Sequence, residues 1–443
     1  MRKDRVPFYV AVLLNMNIMI GAGIYLSPPE MAKVAYGWSY LGWGVAALIF
    51  LPVVLAVMKL SLLFPKQSGL YAYAQTLLGP TLGFLCGWSY FLAFTSAEAL
   101  QAVVLRDTFL GCFACELVGP FAYFLVNFSI FSFIAFICLQ SLKTIGHIQT
   151  GASVLKFFPI IFIISLLILI PFVDFGQLSE EGVSSVLQKS DPGFMTSLIS
   201  IVPLAMFGYW GFESCCNMAH RIEGGAKKSS LAVLVGFFLV SAIYTLFHFQ
   251  ILNIMGPQNL ATEKVEGVTN FLGLSNSYFF QFGTYVFVVS LAFSYFNAIL
   301  SEVVSFSFLL QTMAKDKALL FSEFLKKNNK NKQPVYAVLF NCFVAFIFMS
   351  FIENKSVLIC FSNIGSLTAV SICLFALLKF SYVEKKIGTF ILTLLAMGSS
   401  VVIAYYSILG IDSFYDILSY IILVGLGLVS FLYVKSKAKS LSV

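Results

Sequence analysis

Twelve apolar stretches of about 20 residues each constrain this 443-residue chain more than any other feature. They lie at roughly 8–35, 40–64, 81–106, 120–141, 153–172, 194–219, 229–256, 277–313, 334–352, 356–380, 387–410 and 414–434. About 20 apolar residues carry a helix across a bilayer, and runs that do not alternate at period two exclude a β-barrel. With 59% hydrophobic and 11% charged residues, and a mean hydropathy of +0.92, the chain cannot clothe a water-soluble globule in polar side chains. The expected fold is all-α integral membrane with twelve transmembrane helices.

The formal net charge is +7, and its placement matters more than its size. With the N-terminus in the cytoplasm, 21 of the 27 Lys and Arg fall in inside segments, among them Arg2, Lys66, Lys143, Lys156, Lys228 and the run from Lys315 to Lys332. Outside segments hold only Arg106, Lys189, Lys264 and Lys355. This positive-inside bias places both termini in the cytoplasm and accounts for the basic balance with no nucleic-acid partner. Seven of the nine cysteines lie in apolar runs and read as small buried hydrophobes. Cys112 and Cys115 form a lone CxxC in an external segment, which argues against a metal site and leaves a disulfide open. The basic N-terminus precedes an apolar stretch too long for a signal peptide, so it reads as a retained first helix.

Two stretches are interrupted. In the first, Asn15-Met16-Asn17-Ile18-Met19-Ile20 runs into Gly21-Ala22-Gly23 and Ile24; in the sixth, Pro203 precedes Phe207-Gly208-Tyr209-Trp210-Gly211-Phe212-Glu213. A break at mid-depth frees backbone N–H and C=O groups that lipid cannot satisfy, so such backbone must line a cavity. Close packing of helices is the competing reading of Gly21 and Gly23. The second break comes five helices after the first, as in a five-plus-five inverted repeat, where paired broken helices mark a transporter's substrate site. On this division residues 1–190 form the first repeat, 191–381 the second, and 382–443 hold helices eleven and twelve with a tail.

The motifs resemble the amino acid, polyamine and organocation (APC) transporter superfamily, especially its bacterial amino acid permeases and antiporters. The resemblance rests on Ile20-Gly21-Ala22-Gly23-Ile24-Tyr25, on Phe64-Pro65-Lys66-Gln67-Ser68-Gly69-Leu70-Tyr71-Ala72-Tyr73-Ala74, on Gly211-Phe212-Glu213-Ser214, and on Met313-Ala314-Lys315-Asp316-Lys317-Ala318-Leu319 followed by Gln333-Pro334-Val335. The chain departs from the pattern after the sixth helix, where His220-Arg221-Ile222-Glu223 stands in place of an Asn-Pro-x-Lys. Glu30 and Lys33 are also unusual, and at i,i+3 they can pair on one helix face.

The resemblance implies that a substrate carboxylate is held by backbone N–H groups at Gly21, Ala22, Gly23 and Ile24, helped by a half-helix dipole. The amino group would meet carbonyls around Phe207, Gly208 and Trp210, with Phe207 and Tyr209 as candidate gates or, equally, core aromatics. Four carboxylates, Glu30, Glu98, Glu213 and Glu302, fall in predicted spans, where each must be paired, wet or protonated. Glu213 matches a carboxylate that some relatives use for proton coupling; its alternative is a protonated brace. Glu98, with Tyr90 two turns earlier, matches a polar substrate contact in related antiporters and would favour a cationic side chain; its alternative is an ion pair with Arg106. Glu302 fits coupling or structure alike, and Asn363, Ser366 and Thr368 either line the cavity or join helices.

An enzyme is excluded on residues: His147, His220 and His248 are scattered, and HExxH, GxSxG and Walker patterns are absent, so no catalytic residue, cofactor or metal is expected. A channel would need a carbonyl filter or charged ring, and neither is visible. The expected function is secondary active transport of amino acids across a bacterial inner membrane by alternating access, through proton-coupled symport or exchange. An antiporter of cationic amino acids or polyamines is the alternative. The expected partners are an amino acid or polyamine, protons as one candidate coupling ion, and the lipid bilayer, with monomer and homodimer both open.

Overall fold

A computed structural model describes residues 7–65, 69–112, 119–169, 194–213, 222–262, 278–352, 354–409 and 414–440, and among these the only regular secondary structure is helical. The predicted first span is two helices, α1 (Phe8–Met19) and α2 (Gly23–Ala35), bent by 49° at the glycines. A 3-10 turn (Tyr36–Trp38) leads to α3 (Leu41–Leu63), the short α4 (Leu70–Leu78) and α5 (Pro80–Cys112). Next come α6 (Pro120–Cys138) and α7 (Leu142–Leu169), then a second broken region of α8 (Phe194–Ser200), α9 (Val202–Phe207) and a non-helical run through Glu213. The chain continues through α10 (Gly225–Met255), α11 (Pro257–Thr262), α12 (Tyr278–Lys315), α13 (Ser322–Leu325), α14 (Val335–Phe351), α15 (Lys355–Val383), α16 (Ile387–Leu409) and α17 (Phe414–Ser440).

Among the described residues, eight helices are each long and apolar enough to cross a membrane: α3, α6, α7, α10, α12, α15, α16 and α17; the bent α1–α2 pair qualifies as a ninth if taken as one span. Their outer faces carry large exposed hydrophobics, such as Phe121, Phe128, Phe158, Ile391, Leu395, Val401, Ile421 and Leu426, a surface that water would not tolerate. The chain is therefore a multi-pass membrane protein. Helix α5 is 33 residues long, yet interior positions on it are polar, including Ser89, Thr95, Ser96, Glu98 and Gln101. It packs along α15 and α12, so these side chains meet protein instead of lipid.

Three differences from the sequence reading have physical causes. Helix α7 begins at Leu142, well before the expected 153, because the weakly apolar turns around Gln149 and Ser153 bury their polar atoms against α1 and α12. Lys156, assigned to an inside segment, instead lies fully buried in α7 with its Nζ 2.6 Å from the Asn17 carbonyl. Glu30 and Lys33 pair at 2.6 Å on an exposed face of α2, so Glu30 is not a buried carboxylate. Cys86, Cys138, Cys342, Cys360 and Cys373 are buried free thiols. Lys66, Gln67, Ser68, Cys115, Ser214, His220, Arg221 and the side chain of Cys112 lie outside the described residues, as does the expected repeat boundary at 190.

Candidate substrate site

The two glycine breaks touch. A methyl group added to Gly23 would stand 2.8 Å from Gly208 Cα and 3.4 Å from the Phe207 ring, so only glycine permits this approach of two backbones. Gly211, at φ 95°, would likewise drive a Cβ to 2.6 Å from Ile18, one turn before the first break. Gly21 differs, since its nearest neighbours would be Ala298 Cβ at 3.6 Å and Gln101 Oε1 at 3.7 Å.

At the first break α1 ends on Met19 and α2 starts from Ala22, whose carbonyl accepts from Tyr25 and Leu26. The first N–H groups of α2, at Gly23 and Ile24, precede any residue that could accept from them within the helix, as at every helix N-terminus. They form a small anion-binding end whose dipole favours a carboxylate. Facing them, the Gly208 and Tyr209 amides turn back onto Ala205 and Met206. Tyr244, fully buried on α10, places its hydroxyl 2.7 Å from the Met19 carbonyl and 2.9 Å from the Gly208 carbonyl. One side chain thus reaches a carbonyl at each break; the Met19 carbonyl also accepts from the Gly21 N–H at 2.9 Å, so that N–H, expected at the substrate carboxylate, is already engaged. Sequence reasoning missed Tyr244, because nothing local distinguishes it among 20 tyrosines.

The aromatic candidates separate. Phe207 lies against Gly23, whereas the Tyr209 hydroxyl donates toward the Trp43 carbonyl and Ser241 Oγ, within a cluster of Trp43, Phe237 and Tyr244. Trp210 packs edge-on against Phe50 and donates its Nε1–H to Asn363 Oδ1 at 2.8 Å, while Asn363 Nδ2 donates to the Pro203 carbonyl. Asn363 therefore joins α15 to the second break. Trp43 donates to His248 Nδ1 at 3.0 Å; an indole N–H only donates, so the neutral imidazole carries its proton on Nε2, toward Ser39 Oγ at 3.1 Å.

The carboxylates occupy three settings. Glu213 folds back onto the backbone N–H groups of Gly211 and its own residue, leaving Oε2 unpartnered, and so caps the turn at the second break. Glu98 accepts from Asn341 Nδ2 on α14 at 3.1 Å, and Asn341 in turn accepts from Thr95; Arg106 pairs elsewhere, with Asp107 and Asn127. Glu302 receives both hydrogen bonds of the Gln101 amide, at 2.9 and 3.0 Å. It also borders a cavity of about 180 Å³ lined by Ile18, Tyr71, Tyr90, Phe94 and Thr312. Tyr71, which lines that cavity, donates to Asp316 at 2.9 Å and so brings two of the distant sequence motifs together.

A further polar network ties the end of α1 to α7 and α12. Asn17 Oδ1 accepts from Lys156, Ser153 and Asn297, and Lys156 also bonds the Asn17 carbonyl, a favourable place for a cation near a helix C-terminus. A groove of about 1180 Å³ along α1 and α7 reaches Asn17, Gln149 and Ser153, and Thr368 lines a separate, largely apolar cavity of about 690 Å³ at α15 to α17. The structure thus brings Gly23, flanked by Ala22 and Ile24, onto Phe207 and Gly208, leaves Gly21 facing Ala298 and Gln101, joins Trp210 to Asn363, and sets Tyr90 and Glu302 on a cavity that Ile18 also lines. The Glu98 carboxylate bonds Asn341, and the Tyr209 hydroxyl bonds Ser241 and the Trp43 carbonyl.

Residues 8–436 match the family model described as amino acid permease. The serine/threonine exchanger SteT of Bacillus subtilis (strain 168) is 23% identical over 358 residues, 78% of this chain and 76% of that protein. The arginine/ornithine antiporter of Pseudomonas aeruginosa is 26% identical over 333 residues, 73% and 66% of the two chains. The glutamate/serine transporter AimA of Bacillus subtilis (strain 168) is 23% identical over 282 residues, with 58% of this chain covering 49% of that one.

Proposed function

Since the chain belongs to the amino acid permease family, we propose that it is a secondary active transporter that moves amino acids across the bacterial inner membrane by alternating access between its two broken helices. The observation that carries this reading is the contact of Gly23 with Gly208, with the Tyr244 hydroxyl on the carbonyls of both breaks. The N–H groups of Ala22, Gly23 and Ile24 take the substrate carboxylate, and carbonyls of the second break, around Phe207 and Gly208, take its ammonium. Phe207 closes over the site. Substrate occupies the junction when the two breaks part, so its binding is linked to movement of α1 and α2 against α9.

In this reading the chain has twelve spans, with helices one to ten forming two inverted repeats and both termini in the cytoplasm. The position of α5, rich in interior polar residues yet long enough to span, supports counting it with the eight plainly apolar helices. Glu213 braces the second break and gates it, and Glu302, on its own cavity, takes up the coupling proton. Exchange is supported by the exchanger and antiporter among the relatives. The substrate is a small or medium neutral amino acid, because Glu98 is engaged by Asn341. Transport of a cationic amino acid is the second reading, favoured by the arginine/ornithine antiporter.

A thermal-shift screen of the purified protein over the amino acids, agmatine, putrescine and cadaverine tests both, because a ligand of the folded state raises its apparent stability. Stabilisation by neutral amino acids supports the first reading. Stabilisation confined to cationic amino acids or diamines, lost in Glu98→Gln, supports the second. A screen without any stabilising amino acid counts against both.

A further inference from the structure

Gln101 and Glu302 form a buried hydrogen-bonded pair between α5 and α12, in which the Gln101 NH2 spans the two carboxylate oxygens. An ionised carboxylate only accepts hydrogen bonds, so it is the NH2 end of the amide that must face it. The other end, Oε1, is buried without a partner and lies 3.7 Å from where a Gly21 methyl group would stand. An orphan acceptor therefore looks at the first break while its own amide reports on Glu302, which borders a cavity reaching Ser305, Thr312 and Tyr71.

We propose that Gln101 is a positioning residue that converts protonation of Glu302 into a reversal of hydrogen-bond polarity at Gly21. The inference deepens the transport reading and rests on it. With Glu302 ionised, the amide oxygen presents an acceptor to the first break and disfavours the substrate carboxylate held there. When Glu302 takes a proton from the cavity, its new O–H donates to the amide oxygen, and a half-turn about the soft terminal torsion carries the NH2 to the break. Only the proton changes place between groups. The titratable groups facing Glu302 are Glu98 and Tyr90 on α5, Lys156 on α7 and Tyr71 on α4; α1 adds the apolar Ile18, while Cys138 on α6 and Cys342 on α14 face Glu98.

The test compares full-length wild type, Gln101→Met and Glu302→Gln in detergent, titrated singly with the amino acids on the acid and the alkaline side of neutrality. The affinity ratio between the two conditions should be about fivefold or more in wild type and fall to about one in both variants. A wild-type ratio of one, or an unchanged ratio in Gln101→Met, overturns the inference and leaves the transport reading standing. Absence of any amino acid binding in wild type counts against the transport reading, and infrared pH-difference spectra then decide the inference alone. The expected spectrum has a carboxyl band removed by Glu302→Gln, accompanied by a side-chain amide band removed by Gln101→Met. A carboxyl band without the amide change, or neither band, overturns it.

Discussion

Gly23 and Gly21 sit two residues apart and predict opposite responses to the same methyl group. Gly23→Ala drives its Cβ to 2.8 Å from the Gly208 backbone, which cannot rotate aside, so an overpacking cost of about 1–3 kcal/mol is expected, with amino acid transport falling at least about tenfold. Gly21→Ala meets its neighbours at ordinary contact distance and should keep the wild-type Tm. Equal Tm and equal transport in the two variants would contradict the contact between the breaks. Tyr244→Phe keeps the ring and removes only the hydroxyl that reaches Met19 and Gly208; unfolding in detergent should show a loss of about 0.6 to 1.7 kcal/mol, the range from mean to maximum for hydrogen bonds inside membranes. An unchanged Tm would mean that the hydroxyl bridges nothing of consequence.

At the scale of elements, α1 packs chiefly on α10, and its end is tied to α7 by Lys156 and Ser153, which both bond Asn17. Lys156→Met fills similar space but abandons the Asn17 carbonyl and side chain, so amides of Phe8–Met19 should exchange hydrogen faster while those of α15 do not change. Unaltered exchange in α1 would remove Lys156 from that role. The breaks themselves were legible in the sequence, because Gly21, Gly23, Gly208 and Pro203 interrupt otherwise continuous apolar runs, and the i,i+3 pair Glu30–Lys33 was legible because both partners lie on one short helix. Lys156 was not, since a charge count treats a lysine as solvated, and the oxygens that accept its bonds lie 139 residues away. Gln101, Asn297 and Tyr244 escaped for the same reason: their meaning comes from partners on other helices. Tyr209 was expected beside the break on adjacency alone, and its hydroxyl bonds Ser241 and the carbonyl of Trp43, whose ring also lies against Gly208.

On the scale of the whole molecule, the breaks meet among α2, α3, α9, α10 and α15, α16 packs along α3 and touches α9, and α17 packs instead on α5 and α15. The carboxylates then divide the labour: Glu213 holds the turn at Gly211, and Glu302 opens onto a cavity. Glu213→Gln should therefore lower transport at every pH while preserving the shape of its pH profile, measured in proteoliposomes with imposed proton gradients. Loss of the pH dependence in that variant would transfer the coupling role to Glu213. The most direct test of the central claim is uptake of single radiolabelled amino acids by proteoliposomes of purified protein, compared between wild type and Gly23→Ala. The expected result is saturable uptake of at least one amino acid, stimulated by amino acid inside the vesicle or by an inward proton gradient, and largely lost in Gly23→Ala. Folded wild-type protein that moves none of them, or a Gly23→Ala variant that transports at the wild-type rate, would contradict it.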